Sequence, residues 1–437
     1  MAAALRLLLL SALAHGPVSA RQSCGQATER AILAQDALRT HFFNESAGLW
    51  EQILWWQNAC SLEVISHQAM FAGNESLREQ VEADIANTYA KTANMSRGGP
   101  TLTGYYDDEE WWALGWLRAW ELTGNASYVE RTDIIFDHQV DMAWNESTCG
   151  GGLMWQGYIY SEDRFGNPYK GAITNELFLM IAAKMAVLGP EDTREHYAEW
   201  AEKTWAWFRA SGMINERGLV NDGLDQFEGH NEICRNNNQT EWTYNQGVIL
   251  GGLAYMWELN GDDAQLATAA KIADATLTHL VHKGAEGVLA EPCEGNWMEY
   301  KQCSQDELQF KGVFVRYLGM LLDLAHREPA AVAPLGGEAA LERWSGFVES
   351  NAEAIWTRAA CTLGMPVGVG EHREALPLFG TSWLGPCNTM PGGLTAVAQT
   401  SALDVLVVMQ ELACRDEEPL EDAGSAAEAT GPEPAIL

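Results

Sequence analysis

The run Tyr105-Tyr106-Asp107-Asp108-Glu109-Glu110-Trp111-Trp112 sets four carboxylates between two aromatic pairs, directly ahead of a very apolar stretch. An ionised carboxylate is costly to bury without a partner, so acids beside an apolar helix mark the wall of a cleft where acids are wanted. Asp107 and Asp108 stand at a loop-to-helix junction, where neighbouring side chains diverge. Such a pair could address opposite sides of one bond, one acid donating a proton and the other attacking or activating water. The plain alternative is a helix start, where Asp caps well and acids favour the positive end of the dipole. Glu109 and Glu110 are assigned to that ordinary role.

The remainder of the chain predicts the scaffold that presents this run. Amphipathic or apolar helices are expected over residues 25–41, 49–71, 75–92, 108–122, 127–142, 172–188, 192–211, 245–259, 264–281, 310–325, 338–360 and 394–413. Every second one is apolar on nearly all sides, and a helix that is apolar all round is buried all round. Ala172 to Leu188 is the clearest of this type, while Asp192 to Ser211 keeps a single inward stripe, Tyr197, Trp200, Ala201 and Phe208. The buried helices begin near Leu49, Asp107, Ala172, Tyr244, Leu308 and Leu394, spaced as two-helix units would be. Six inner helices covered by six outer ones make an all-α (α/α)6 barrel, with segment 25–41 serving as the outer partner of the last inner helix. A membrane bundle is disfavoured, because the apolar helices are short and interrupted by charge.

Composition narrows the chemistry. A formal charge of −33 over 437 residues excludes a nucleic-acid partner, which needs a basic face, and points to a neutral substrate. Eighteen tryptophans are enough to supply both a core and aromatic platforms for sugar rings. Residues 1–20 read as a cleavable secretory signal and residues 21–415 as one domain. Residues 416–437 read as a disordered acidic tail without a lipid-anchor signal. Six glycosylation sequons, at Asn44, Asn74, Asn94, Asn125, Asn145 and Asn238, agree with secretion to the extracellular space or cell wall. Nine cysteines leave one odd, and Cys293 with Cys303 suggests a short staple. No CxxC pair or His/Cys cluster suggests a metal, and no cofactor loop is present; a monomer without a transmembrane segment is expected.

The starts of a barrel's inner helices converge on one mouth. There the chain offers Tyr106 and Trp112 beside the acid pair, Asn175 and Glu176, Tyr244, Asn245 and Gln246, and Lys311, with Asp222 in the turn Asn221-Asp222-Gly223-Leu224. Acids, amides and aromatics together, with no phosphate loop or nucleophile triad, suit a carbohydrate cleft. For Asn175, Glu176, Asn245 and Gln246 a helix-start role and sugar hydrogen bonding both remain open, and Lys311 could equally be a snorkelling lysine.

Six ordered blocks, YYDDEEWWALGW, CGGGLMW, ITNELFL, LVNDGL, WTYNQGVILGGL and QFKGVFVRYL, make residues 24–413 resemble the secreted fungal members of glycoside hydrolase family 76, the endo-α-1,6-mannanases. The resemblance implies an (α/α)6 barrel, a retaining mechanism and α-1,6-mannan as substrate. It implies Asp107 as nucleophile and Asp108 as acid/base, with Asp222, Tyr244 and Asn245 lining the cleft. Retaining hydrolysis would set the two carboxyls roughly 5 to 5.5 Å apart. Some relatives are anchored wall proteins thought to transfer glycans, so a cell-wall transglycosidase, or a non-catalytic glycan-binding barrel, stands as the alternative.

Overall fold

A helix with apolar residues on every side has only the interior to occupy, and six such helices here share one. The computed structural model describes residues 22–92, 102–157, 169–227, 230–284, 287–294, 303–361, 376–386 and 394–417. In chain order these form α1 (Cys24–Phe42), β1 (Phe43–Asn44), β2 (Leu49–Trp50), α2 (Trp55–Phe71), α3 (Glu75–Thr92), α4 (Tyr106–Thr123) and α5 (Ala126–Met142). There follow β3 (Lys170–Gly171), α6 (Ala172–Leu188), α7 (Arg194–Ser211), β4 (Gly223–Phe227), β5 (His230–Asn236), α8 (Thr243–Asn260) and α9 (Asp263–His279). The last set is α10 (Glu307–Arg327), α11 (Pro329–Val332), α12 (Glu338–Ala354), β6 (Ala360–Cys361), β7 (Leu378–Phe379) and α13 (Ala396–Glu417).

Helices α2, α4, α6, α8, α10 and α13 each pack on the next, and α13 returns to α2. The outer layer is α3, α5, α7, α9, α12 and α1, with α1 seated on α13. The protein is thus an (α/α)6 barrel whose ends are joined by the Cys24–Cys414 disulfide, 390 residues apart in sequence. Burial follows the patterning. In α6 every residue from Ala172 to Ala186 is buried, whereas α7 buries only Tyr197, Ala201, Thr204, Trp205 and Phe208, one stripe at helical spacing.

Glycines let the inner helices approach closely. A Cβ on Gly312 of α10 would lie 2.6 Å from the Ser401 Cα of α13, and one on Gly247 of α8 would lie 2.6 Å from the Phe314 Cα of α10. The charges inside these helices pair across the lumen. Arg316 of α10 meets Asp404 of α13 at 2.7 Å and also Glu63 of α2, and it donates to the Cys60 carbonyl at 3.2 Å. Deeper, Glu121 of α4 joins Arg118 at 2.8 Å and Lys184 of α6 at 2.9 Å. Helix α13 is long and apolar enough to cross a membrane, yet 89% of that window is buried inside the barrel.

Two expected elements are corrected. The helix placed from residue 49 begins at Trp55, because Leu49–Trp50 pairs antiparallel with Phe43–Asn44 across a reversal. That reversal is held by the Asn44 side chain, which accepts from the Ser46 and Ala47 amides. The helix placed over 338–360 leaves α geometry at Ile355, where a π-turn over Ile355–Ala359 leads into β6. The Cys293–Cys303 staple is present, Cys149–Cys234 ties the loop after α5 to β5, and Cys361 is also disulfide-bonded. Among the described residues the free thiol is Cys60, buried in α2. The leader over 1–20 lies outside the described residues, as do residues 418–437 of the tail.

Candidate active site

The mouth is built where loops meet the first turns of the inner helices. The stretch before α4 is fixed by Glu109, whose carboxylate accepts from the Thr103 and Gly104 amides at 2.6 and 2.7 Å. Segment 153–157 lies alongside it. Tyr105 bridges Gln156, the Tyr106 amide donates to the Trp155 carbonyl at 3.2 Å, and the Gly157 amide donates to the Gly104 carbonyl at 2.8 Å. This pairing brings the Trp155 indole to Asp107, where it donates at 3.1 Å, and the Asp108 amide donates to the other Asp107 oxygen at 3.0 Å.

The same loops carry order across the mouth. The Trp155 amide donates to the Tyr169 carbonyl at 2.9 Å, and the Tyr169 hydroxyl donates to Asp222 at 2.5 Å. Lys170, fully buried, clamps the glycine run by donating to the Gly152 carbonyl at 2.6 Å and the Asn145 carbonyl at 3.1 Å. From the opposite side α8 contributes Tyr244, its ring stacked on Phe310 of α10 at 3.7 Å. Asp306, immediately before α10, accepts from the Trp56 indole at 2.9 Å.

Asp107 and Asp108 are half-buried, unlike the fully buried Glu109 and Glu110 that follow them. Both carboxyls titrate above the ordinary carboxylate range, chiefly because burial disfavours the charged form. They differ in their partners. Asp107 receives the two hydrogen bonds that favour its anion, whereas Asp108 feels the charges of Asp107, Asp306 and Glu109. The hydrogen bonds to Asp107 favour its anion and the neighbouring charges disfavour that of Asp108, and a pair so coupled holds one charge and one proton over part of the pH range. This is the state that nucleophilic attack by one carboxyl and proton donation by the other require.

Four expected site residues, Asp107, Asp108, Asp222 and Tyr244, are half-buried around the mouth. The others lie behind it. Tyr106 and Trp112 are buried, at 1% and 0% exposure, so they form the wall beneath the cleft and not its face. The Asn175 amide is engaged with both the Leu153 amide and the Leu153 and Gly171 carbonyls, and Gln246 with the Val220 backbone and Trp242 carbonyl. Both therefore position loops instead of meeting a sugar. Lys311 is buried against Glu294 and the Thr381 carbonyl, with its ammonium over the Trp383 ring. Glu176 and Asn245 are fully buried with no hydrogen-bond partner among the described residues.

Glu109 and Glu110 are not a solvated first turn either. Both are fully buried: Glu109 is pushed up to about 7 by burial, and Glu110 well above its usual value by burial and by the Asp107 charge.

Sequence reasoning missed Trp155, Trp56 and Asp306. Asp306 stands at the start of an inner helix as Asp107 does, and that placement was the available signal. Its charge raises the carboxyls of both Asp107 and Asp108. Asp306→Asn keeps an acceptor for the Trp56 indole and removes the charge, so both limbs of the pH–rate profile should move to lower pH. A profile of kcat/KM across pH 3 to 9 checks this, and unmoved limbs would remove Asp306 from the electrostatics of the pair.

The model of Glycosyl hydrolase family 76 matches residues 27–418. Mannan endo-1,6-alpha-mannosidase DCW1 of Saccharomyces cerevisiae is 23% identical over 291 residues, which cover 64% of this chain and 61% of that protein. Mannan endo-1,6-alpha-mannosidase DFG5 of the same yeast is 25% identical over 340 residues, covering 74% of this chain and 70% of that protein. The match thus spans less than two thirds of the DCW1 length. Among solved structures, an alpha-1,6-mannanase from Salegentibacter superposes with a TM-score of 0.68 at 22% identity, covering 89% of this chain and 99% of that one. An inactive form of it, with two consecutive aspartates changed to asparagine, was solved with alpha-1,6-mannotriose and superposes at 0.69, with 22% identity over 88% of this chain and 99% of that one. Dfg5 from Chaetomium thermophilum, solved with glucosamine, superposes at 0.66 with 21% identity over 91% of each chain. At these identities the likeness establishes the fold.

Proposed function

The chain belongs to glycosyl hydrolase family 76, and from that premise we propose that it is an endo-acting retaining glycosidase cleaving α-1,6-mannosidic linkages in mannan. Asp107 attacks the anomeric carbon, forming a glycosyl–enzyme bond, while Asp108 gives its proton to the departing glycosidic oxygen. Asp108, now a carboxylate, takes a proton from water, which attacks the same carbon and frees Asp107. Asp222 and Tyr244 hold sugar hydroxyls, with Trp155, bonded to Asp107, and the half-buried Trp242, edge-on to Phe310 at 5.7 Å, as aromatic surface beside them. The observation that carries the reading is the unequal surroundings of two adjacent acids at one cleft, two hydrogen bonds favouring the Asp107 anion and a neighbouring charge disfavouring that of Asp108.

The reading includes a cleaved leader over 1–20, a domain over 21–415, an acidic tail over 416–437, and a monomer secreted to the extracellular space or cell wall. Disulfides such as Cys24–Cys414 and Cys149–Cys234 support an oxidising compartment. Product analysis on linear α-1,6-mannan tests the activity. Internal cleavage with α-configured new reducing ends, followed by NMR before mutarotation, is expected. β-configured first products would refute the retaining mechanism, and elongated chains in place of shortened ones would make the enzyme a transglycosidase.

A further inference from the structure

A groove lies beside the turn that carries Asp222. It is an open groove of about 470 Å³ whose lining includes Ile214, Asn215, Glu216, Arg217 and Asn236. That volume is within the range of small-ligand sites. Two of its lining residues, Asn221 and Glu241, are the chain neighbours of Asp222 and Trp242. Asn238 is the acceptor position of the sequon Asn238-Gln239-Thr240, and it lines this groove.

The described sequons differ in what their amides do. Asn44 donates to Glu51 at 2.6 Å while accepting from the Ser46 and Ala47 amides. Asn145 is half-buried, accepting from the Ser147 amide and hydroxyl and donating to the Met154 sulfur. Asn74 and Asn125 are exposed helix-start acceptors, bonded to the Leu77 and Ser127 amides. Asn238 is exposed, its carboxamide oxygen has no partner among the described residues, and its nitrogen makes one long contact, 3.4 Å, to the Asn236 carbonyl. Its backbone is left-handed, φ 51°, at a turn held by the Asn236 side chain. Asn often adopts this conformation, and here it projects the side chain from a fixed turn.

We propose that Asn238 carries an N-linked glycan whose first N-acetylglucosamine lies in this groove. The groove's chemistry suits that sugar. Ile214 supplies the apolar surface for the acetamido methyl, while Glu216 and the half-exposed Arg217, paired with Glu241, face the hydroxyls. The amides of Asn215, Asn221 and Asn236 are already bonded to one another and to backbone, so they form a fixed polar wall. Seating the sugar replaces solvent on the back of the segment that presents Asp222. The inference rests on the reading that the chain is secreted, and not on its being a mannanase.

The test uses the full chain secreted from a eukaryotic host. Glycopeptide mass spectrometry should find Asn238 occupied. Trimming to a single N-acetylglucosamine should leave amide exchange over residues 212–221 and 234–241 several-fold slower than in Asn238→Gln. The double change Ile214→Ser and Arg217→Ala should erase that difference while occupancy stays the same. An unoccupied Asn238, or equal exchange with and without the retained sugar, overturns the proposal. Activity on mannan is measured on the same samples and reports separately on the enzymatic reading.

Discussion

Asp108→Ala is expected to lose release of oligosaccharides from α-1,6-mannan by about 10² to 10⁴-fold, yet to keep the first chemical step on an activated aryl glycoside of α-1,6-mannobiose. Asp107→Ala should lose both. The distinction follows from what each carboxyl supplies. A natural leaving sugar departs as an alkoxide unless protonated, so the proton of Asp108 is needed; an aryl oxide with a low pKa departs without it. Attack at the anomeric carbon has no such substitute. In Asp108→Ala the aryl substrate should therefore give a burst of phenol equal to the enzyme present, followed by slow turnover, because water then lacks its base. Azide, which needs no base, should restore turnover and yield the mannobiosyl azide of retained configuration. Loss of the burst as complete in Asp108→Ala as in Asp107→Ala would reverse or dissolve the assignment of roles. Binding of mannan by the Asp107→Asn form, measured calorimetrically, separates lost chemistry from lost fold.

The barrel was legible because its rule is one of periodicity. Residues 172–188 have no polar face, residues 192–211 have one, and no arrangement but an inner helix covered by an outer one satisfies both. The candidate site could be read in the sequence only where chemistry and helix phase agreed. Asp107, second in α4, stays half-buried and takes the Trp155 indole, while Asn175 and Gln246, each fourth in its helix, are buried and bond the loops. A turn holds 3.6 residues, so a shift of two positions redirects a side chain by more than half a turn. The pairing of Tyr105 with Gln156, which delivers Trp155 to Asp107, joins segments about fifty residues apart that share no local pattern. The hairpin of β4 and β5 was missed for a related reason. Gly223–Phe227 and His230–Asn236 carry no sustained alternation of apolar and polar residues, and the pair is held by the Cys149–Cys234 disulfide as well as by pairing with β3.

The burial of so many acids has a consequence for the whole molecule: the protein should be most stable in mild acid and lose stability as the pH rises from about 4.5 to 8. Glu109 and Asp404 are each pushed up to about 7 and Glu291 to about 8, all by burial first, and Glu110 and Glu176 rise well above the usual value for the same reason. A carboxyl whose folded pKa is raised binds its proton more tightly folded than unfolded. Its contribution is complete below the unfolded value, near 4, and is lost as the pH rises through the folded one. Each such group can steepen the fall by at most about 1.4 kcal/mol per pH unit. The net charge of −33 adds self-repulsion of the same sign.

Opposing groups act mostly elsewhere. Glu121 and Glu294, lowered by their cationic partners, lose their contribution only below the ordinary carboxylate range, and Lys170, lowered to about 7 by burial, acts above pH 7. His138, lowered by burial, opposes the trend below its ordinary value, but it is one group against many. Thermal unfolding followed by circular dichroism at pH 4.5, 6 and 8 should give a falling midpoint. Glu110→Gln isolates the cause, since the amide keeps the size and cannot ionise: it should be close to neutral at pH 4.5 and stabilising relative to the native chain at pH 8. A variant equally stable or less stable than the native chain at pH 8 would mean that Glu110 finds a partner for its charge in solution, and that the lumen beneath the cleft is wet enough to hold an ionised acid.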